Sequence, residues 1–541
     1  METIDCYFVG INTVSIAKQR NFAKIIHGEN SHEYRDDSNF RFVKCNNKLY
    51  TQSQIFELFY NDEKVSNSYE LSVFEETFNS AIAYLGTYLT KRGLSIEYIN
   101  SFNSEKEELA SKLVGANIHA VAIPTTHYTT AFPITEIVSF IKKYDAKVKI
   151  IVGGPFITNQ VRSLNGDALQ RLFYSIGADI YVYNSEGEYA LNETVKAIKD
   201  SLPLDSISNI YYKKNNKFVI NDYYPEENDL DNNSTDWNLF ANRLGKYVSV
   251  RSAMSCPFSC GFCTYGGRGF KEKYRYSSIE TLEKELDDLK NSGKVSGIFF
   301  SDNTFNVPLK RFKDILRLMI RKRYNFKWQT HIRCQFIDEE TAALLQESGC
   351  VQVFCGLESG SQKILNNMNK RATLEECKKG IELLNKYNIM SVASFFIGYP
   401  GESDETAMET FKFIEETKPT FFQIRLWWYA QNAPIFNQKE KYNLTGSGFN
   451  WCHETMNADY AHELVDKFYL TIKNSTHLGD TQNIFDMKNR GISVNNIKGF
   501  VDAFNNCVKE RLGNPSVEET SCELLDKLRI AAKRCVVSHE S

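Results

Sequence analysis

Three cysteines stand close together in the stretch 255–270, SCPFSCGFCTYGGRGF: Cys256, Cys260 and Cys263. Their spacing is C-x3-C-x2-C, and Phe262 immediately precedes the third. Thiolate sulfur is the soft donor that iron clusters take, and three such donors in one loop can grip one face of a 4Fe–4S cluster. The fourth iron then has no protein ligand and is open to a substrate or cosubstrate. Gly261, Gly266, Gly267 and Gly269 let the backbone wrap closely. Two plainer readings exist: three unrelated thiols in a surface loop, or a zinc site. Zinc usually takes four ligands and paired C-x2-C spacing, which this loop lacks.

The elements that must position this loop are legible as two βα series. Residues 1–225 are predicted to form a doubly wound, Rossmann-like α/β domain with a polar insertion at 10–75. Apolar runs at Ile4–Val9, Ser95–Ile99, His119–Ile123, Val148–Val152 and Asp179–Tyr183 alternate with helical spacing at 78–92, 105–113, 134–143 and 167–175. Ligands of such sheets sit at the carboxyl ends of the strands. Three of those ends stand out: Pro124-Thr125-Thr126-His127, Gly153-Gly154-Pro155 and Ser185-Glu186-Gly187-Glu188. Residues 226–245, acidic and Asn-rich, read as a linker that Trp237, Leu239 and Phe240 would pin.

A second series fills 246–429, with strands at 246–251, 295–300, 326–332, 351–355, 391–397 and 421–427 and helices between them, the first capped by Ser277. Six βα units predict a partial β/α barrel, whose working residues gather at the carboxyl ends of its strands. The cysteine loop, Asp302, Arg333, Glu358 and Gly398 all fall just after predicted strands, so they are expected at one mouth. Residues 430–541 read as a mainly helical third region, with helices at 459–474, 494–510 and 519–534.

Composition sets outer bounds. The 541 residues are 42% hydrophobic with a net charge of −3, which fits several folded domains and gives no basic excess for nucleic acid. No apolar run approaches the ~20 residues of a membrane span, and METIDCYFVG does not read as a signal peptide. Thirteen scattered cysteines, an odd number, point to reduced thiols and a cytoplasmic home.

The cysteine loop resembles the signature of the radical S-adenosylmethionine (SAM) enzymes. That resemblance implies a 4Fe–4S cluster on Cys256, Cys260 and Cys263, whose open iron takes the amino and carboxylate groups of SAM. GLESGS at 356–361 and FIGYPGE at 396–402 resemble companion motifs of the same family. They imply SAM contacts from Phe262, Asp302, Arg333, Glu358, Ser359, Gly398 and Tyr399: Arg333 on the carboxylate, Glu358 and Ser359 on the ribose or amino end, Gly398 and Tyr399 around the adenine. The three N-terminal turns resemble the cobalamin-binding domain found ahead of many radical SAM cores. Thr125, Thr126, His127, Gly153, Gly154, Pro155, Glu186 and Gly187 would then meet the corrin. His127 lies in TTHYTT rather than D-x-H-x-x-G, so a histidine ligand to cobalt does not carry over.

Finally, IDCYFVGIN, AYLGTYLTKRG and GSGFNWCHETM resemble the subgroup containing the P-methyltransferase of phosphinothricin-type pathways. The implied activity is cobalamin-dependent radical methylation of an unactivated carbon or phosphinate centre, in a small-molecule or peptide substrate touching Trp427, Tyr429 and Trp451. A flavodoxin- or ferredoxin-type protein would donate the electron. Two alternatives remain open: a radical SAM rearrangement, cyclisation or epimerisation without methylation, and a non-catalytic iron–sulfur module.

Overall fold

The structure, a computed structural model, describes residues 2–60, 77–264, 273–514 and 519–537. Gly266, Gly267, Gly269 and Phe270 of the cysteine stretch lie outside these. The chain forms two compact units. The first comprises Met1–Val14, Phe74–Ser252 and Arg275–Val295; the second comprises Ser15–Val73, Ala253–Tyr274 and Ser296–Ser541.

The first unit is built on a seven-stranded sheet. Its strands are β1 (Thr3–Ile11), β2 (Ile96–Ser101), β3 (Asn117–Pro124), β4 (Lys149–Gly153), β5 (Ile180–Val182), β6 (Ile210–Lys214) and β7 (Lys217–Ile220), in the order β7-β6-β5-β4-β3-β1-β2. The first five are parallel, and the β6–β7 hairpin adds antiparallel to β5. β1 is buried along almost its whole length, as a central parallel strand covered on both faces must be. The strand order reverses between β1 and β3, which makes their carboxyl ends the switch point of a flavodoxin-like sheet. Tyr7, Val9, Val121, Ile123, Ile137 and Phe173 belong to one continuous apolar core beneath it.

Two expectations change here. The acidic stretch after 225 is packed rather than loose. Trp237 and Phe240 are buried against Phe78, while Leu239 is exposed. Its polar residues have work inside the unit: Glu226 accepts from the first N–H groups of the Glu188–Lys199 helix, at Tyr189 (2.8 Å) and Ala190 (3.2 Å). Composition records polarity but not that these groups are engaged. The helix Ile279–Asn291 is capped by Ser278, whose hydroxyl accepts from Thr281 N at 3.2 Å; Ser277 is buried and turned to Ser252 O instead.

The second unit holds six parallel strands: β8 (Gly297–Phe300), β9 (Lys327–Ile332), β10 (Cys350–Glu358), β11 (Met390–Ile397), β12 (Phe421–Leu426) and β13 (Thr476–His477). They lie side by side in chain order with helices Leu309–Lys322, Glu339–Glu347, Leu374–Lys386 and Asp404–Thr417 between them. Such singly wound succession is that of a partial barrel. The strand Tyr247–Val250 belongs instead to the first unit, where it pairs parallel with Thr77–Phe78.

The described part of the insertion, up to residue 60, contains helices Ile16–His27, His32–Ser38 and Gln52–Tyr60 and a hairpin of Phe42–Cys45 with Lys48–Thr51. Elements of only four to twelve residues hold too few apolar positions to show a period. Those present pack on the C-terminal helices, with Phe40 4.3 Å from Tyr469 and Phe56 4.9 Å from Phe500, ring centre to ring centre.

Candidate functional site

In the second unit the loop after β8 fixes the start of the cysteine stretch. Ala253 N donates to buried Asp302 at 2.9 Å, Asn303 Nδ2 donates to Ser255 O at 3.3 Å, and Thr304 Oγ1 lies 3.5 Å from Cys256 Sγ. The middle of the loop is fixed by a turn of 368–370 and by residue 435. Gly261 N donates to Met368 O at 2.7 Å, Ile435 N to Gly261 O at 2.9 Å, and Asn369 Nδ2 to Ser259 O at 3.1 Å. Beneath it lies Tyr399, fully buried; a side chain at Gly261 would overlap its hydroxyl. Phe262 meets Phe396 edge-on at 5.2 Å.

Cys256, Cys260 and Cys263 form no disulfide, Cys260 buried and the other two partly open. Among the described residues no three His, Cys, Asp or Glu side chains converge on a single ion. A cluster asks for less convergence, since each thiolate meets a different iron. Three thiols on a fixed loop therefore fit that donor set. Cys334 and Cys355 are completely buried and hydrogen-bonded to each other. That bond, with burial, pushes the Cys334 thiol up, as in an inert structural pair.

Glu358 ends β10 at a register shift, with φ +70°. A non-glycine residue in the left-handed region costs energy and marks a place where the surroundings dictate the backbone. Its carboxylate pairs with Lys370 Nζ at 2.9 Å, and both side chains are mostly buried. Lys370 gives no periodic signal, sitting in the turn NMNKRAT, and sequence reasoning missed it. Arg333 is buried and donates from Nη2 to Cys260 Sγ at 3.0 Å and from Nη1 to Lys370 O at 2.6 Å. Ser359 is also committed inside the protein: its hydroxyl accepts from Ser361 N and lies 3.3 Å from Thr410 Oγ1.

The turn after β11 is held by groups that sequence reasoning left out or read as structural. Gly398 N donates to Glu402, whose fully buried carboxyl is pushed up to about 8 by burial. His453 Nε2 lies 3.2 Å from Gly398 O; burial lowers this imidazole to about 4, so it is neutral and structural. Trp427, Tyr429 and Trp451, read as substrate contacts, are buried and packed on one another with ring centres 5.3 Å apart. They form a small core that offers little surface.

The open surface lies elsewhere, on alternate residues of neighbouring strands. His331 and Arg425 are exposed, and Phe299, Phe354, Gly356, Glu358, Ser394, Phe396 and Gln423 are half-open, while the residues between them are almost all buried. The His331 ring sits 5.4 Å from Phe299 and 4.9 Å from Phe354. This half-open face carries Glu358 and abuts Phe262 through Phe396.

In the first unit the three predicted turns lie on adjacent strands. Thr125 N and Oγ1 both donate to Gly153 O, at 2.8 and 2.9 Å. Gly154 has φ +111°, and a Cβ there would come within 3.1 Å of Thr125 N. Pro155 opens the helix Pro155–Ser163, and Gly187 caps Glu188–Lys199. Thr126 and His127 are exposed at the same edge. Glu186 differs: its buried carboxylate is paired with Arg275 at 2.6 Å.

Residues 252–414 match the model of the radical SAM superfamily, so this part of the chain is a radical SAM domain; the family implies a 4Fe–4S cluster and SAM. The fold is shared with two solved structures. TsrM from Kitasatospora setae, a radical SAM methyltransferase with cobalamin and a 4Fe–4S cluster bound, superposes with a TM-score of 0.61 at 15% identity over 85% of this chain and 96% of that one. OxsB, a cobalamin-dependent SAM radical enzyme, gives 0.56 at 14% identity over 90% of each. Among curated relatives, an uncharacterized methyltransferase of Pyrococcus horikoshii is 27% identical over 306 residues, 53% of this chain and 64% of that relative. The anaerobic magnesium-protoporphyrin IX monomethyl ester cyclase of Rubrivivax gelatinosus is 26% identical over 44% of this chain and 45% of its own length. These matches span about half to two thirds of the relatives. The radical SAM match thus lies on residues 252–414, and the relatives include a methyltransferase-named protein.

Proposed function

We propose that this enzyme is a cobalamin-dependent radical SAM methyltransferase acting on an unactivated carbon or phosphinate centre of a small natural product or peptide. The observation that carries the reading is three thiols in a loop fixed from several sides, in the same unit as the buried Glu358–Lys370 pair. When bound, the cluster and SAM supply a 5′-deoxyadenosyl radical and cobalamin supplies a transferable methyl group, so the hard chemistry belongs to the cofactors.

The chain's own residues do the rest. Cys256, Cys260 and Cys263 hold the cluster. Glu358, oriented by its ion pair with Lys370, receives the polar end of SAM, and the Gly398–Tyr399 backbone frames its adenine. Asp302 and Ser359 shape this pocket from behind. Thr125, Thr126, His127, Gly153, Gly154, Pro155 and Gly187 offer a flat edge to the corrin, with Glu186 bracing the last turn through Arg275. The half-open face around His331, Phe354 and Phe396 takes the substrate and keeps water from the radical. A flavodoxin- or ferredoxin-type donor reduces the cluster. Among the described residues no helix is long and apolar enough to cross a membrane, which agrees with a cytoplasmic site of action.

The test is anaerobic reconstitution with iron, sulfide and hydroxocobalamin. The reading expects a cluster charge-transfer band, cobalamin that co-elutes with the protein, and release of 5′-deoxyadenosine and S-adenosylhomocysteine on turnover. A cyclase among the relatives favours one second reading, radical chemistry without methylation. That reading expects deoxyadenosine without S-adenosylhomocysteine.

A further inference from the structure

Arg333 is held on several sides, and one of its donors meets a cysteine of the loop. Asn306 Oδ1 accepts from its backbone N–H at 3.0 Å, and Asn306 Nδ2 donates to its carbonyl at 2.9 Å. Its guanidinium carbon lies 3.5 Å from the centre of the Phe258 ring, and Nη1 is spent on Lys370 O. Nη2 is left pointing at Cys260 Sγ, 3.0 Å away. The residue is 5% exposed, and among the described residues no carboxylate pairs with it. A buried cation is stabilised by an electron-rich acceptor, and Nη2 meets one in that sulfur.

We propose that Arg333 is a positioning residue for Cys260 that also makes the bound cluster easier to reduce; the proposal rests on the cluster reading above. Reduction adds one negative charge. A fixed cation and an N–H···S bond stabilise the electron-richer state and so raise the potential, since hydrogen bonds to sulfur and local charge set cluster potentials. The low dielectric around a buried guanidinium strengthens both effects. Arg333 then acts before SAM binds, which is a different role from clasping the SAM carboxylate.

The test is an EPR-monitored redox titration of the reconstituted full-length protein without SAM, comparing wild type, R333K and R333Q at equal iron content. R333Q is expected to shift the reduction equilibrium at least tenfold against the reduced form, about 59 mV for a one-electron couple. R333K keeps the charge but loses the planar fork, and should fall between. An unchanged R333Q potential overturns the proposal, and weaker SAM binding with that unchanged potential would assign Arg333 to the SAM carboxylate instead. Because R333Q can fail to load, reduced wild-type protein labelled with [15N]arginine gives an independent reading by ENDOR: a 15N coupling to the cluster supports the contact, and its absence overturns it. Wild-type protein that takes up no iron and sulfide overturns this proposal together with the function above, whereas loaded wild type with a silent R333Q overturns this proposal alone.

Discussion

The two units present their candidate sites in contrasting materials. At the edge of the first sheet, Thr125, Gly153, Gly154 and Gly187 offer backbone and small side chains, and the one charged member, Glu186, is turned inward to Arg275. At the mouth of the second, the work falls to buried or mostly buried polar side chains: Glu358 and Lys370 pair with each other, Asp302 and Glu402 hold backbone N–H groups, and Arg333 meets Cys260 and the Lys370 carbonyl. A backbone surface suits a broad flat ligand bound by shape. A side-chain constellation suits a small charged ligand and a cluster that must be held in one geometry. Damage to the first should therefore cost ligand uptake, and damage to the second should cost chemistry.

The largest effect expected is from Cys256→Ala, Cys260→Ala or Cys263→Ala. Each should abolish deoxyadenosine formation and the cluster absorption band, while cobalamin uptake by the first unit persists. Residual reductive SAM cleavage in any of the three would break the division of labour.

Next comes Lys370→Met. Removing one partner of a buried ion pair strands the other and costs about 3–5 kcal/mol. Chemical unfolding should show that loss, and SAM affinity measured by calorimetry should fall with it, because Glu358 is no longer held. Unchanged affinity would detach Glu358 from SAM.

Gly154→Ala should cost about 1–3 kcal/mol from its glycine-only backbone conformation alone, and its Cβ would press on Thr125. Cobalamin retention on gel filtration should drop while iron content stays at the wild-type level. Loss of both would mean that the two sites are not separable in this way.

The smallest effect is a difference in acid sensitivity. His453, His462 and His477, all in the second unit, are depressed by burial to about 4, about 3 and about 3. A base depressed in the folded state binds its proton more readily when unfolded. Its contribution is thus present above the ordinary value near 6.5 and is lost as pH falls toward 3–4. Hydrogen exchange at pH 7 and pH 5 should show the second unit opening first. Equal loss in both units would remove this distinction.

What the sequence disclosed follows the same contrast. The cysteine loop was readable because its chemistry needs particular side chains at fixed spacing, and the strands because apolar runs alternate with helical spacing. Asp302, Arg333 and Glu358 were found at strand ends, but their partners were not. Lys370, Asn306 and Thr304 sit in turns, where no period marks them, and only the folded chain brings them to Glu358, Arg333 and Cys256. The aromatic residues Trp427, Tyr429 and Trp451 were visible, but density of rings in a sequence does not separate a binding wall from a small core. In the polar insertion the described helices and strands went unseen because each is too short to show a period.

The path of the backbone between the compact units has a practical outcome. It passes from one to the other at 14/15, 73/74, 252/253, 274/275 and 295/296. No single cut can therefore release either half intact, and a fragment ending near 225 would lack both Tyr247–Val250 and the Ile279–Asn291 helix. On the ribosome the first unit has to wait until residue 295 has emerged before its own parts are complete, although its seven-stranded sheet ends at Ile220. The two halves are thus inherited, expressed and lost together, and neither can be traded as a cassette.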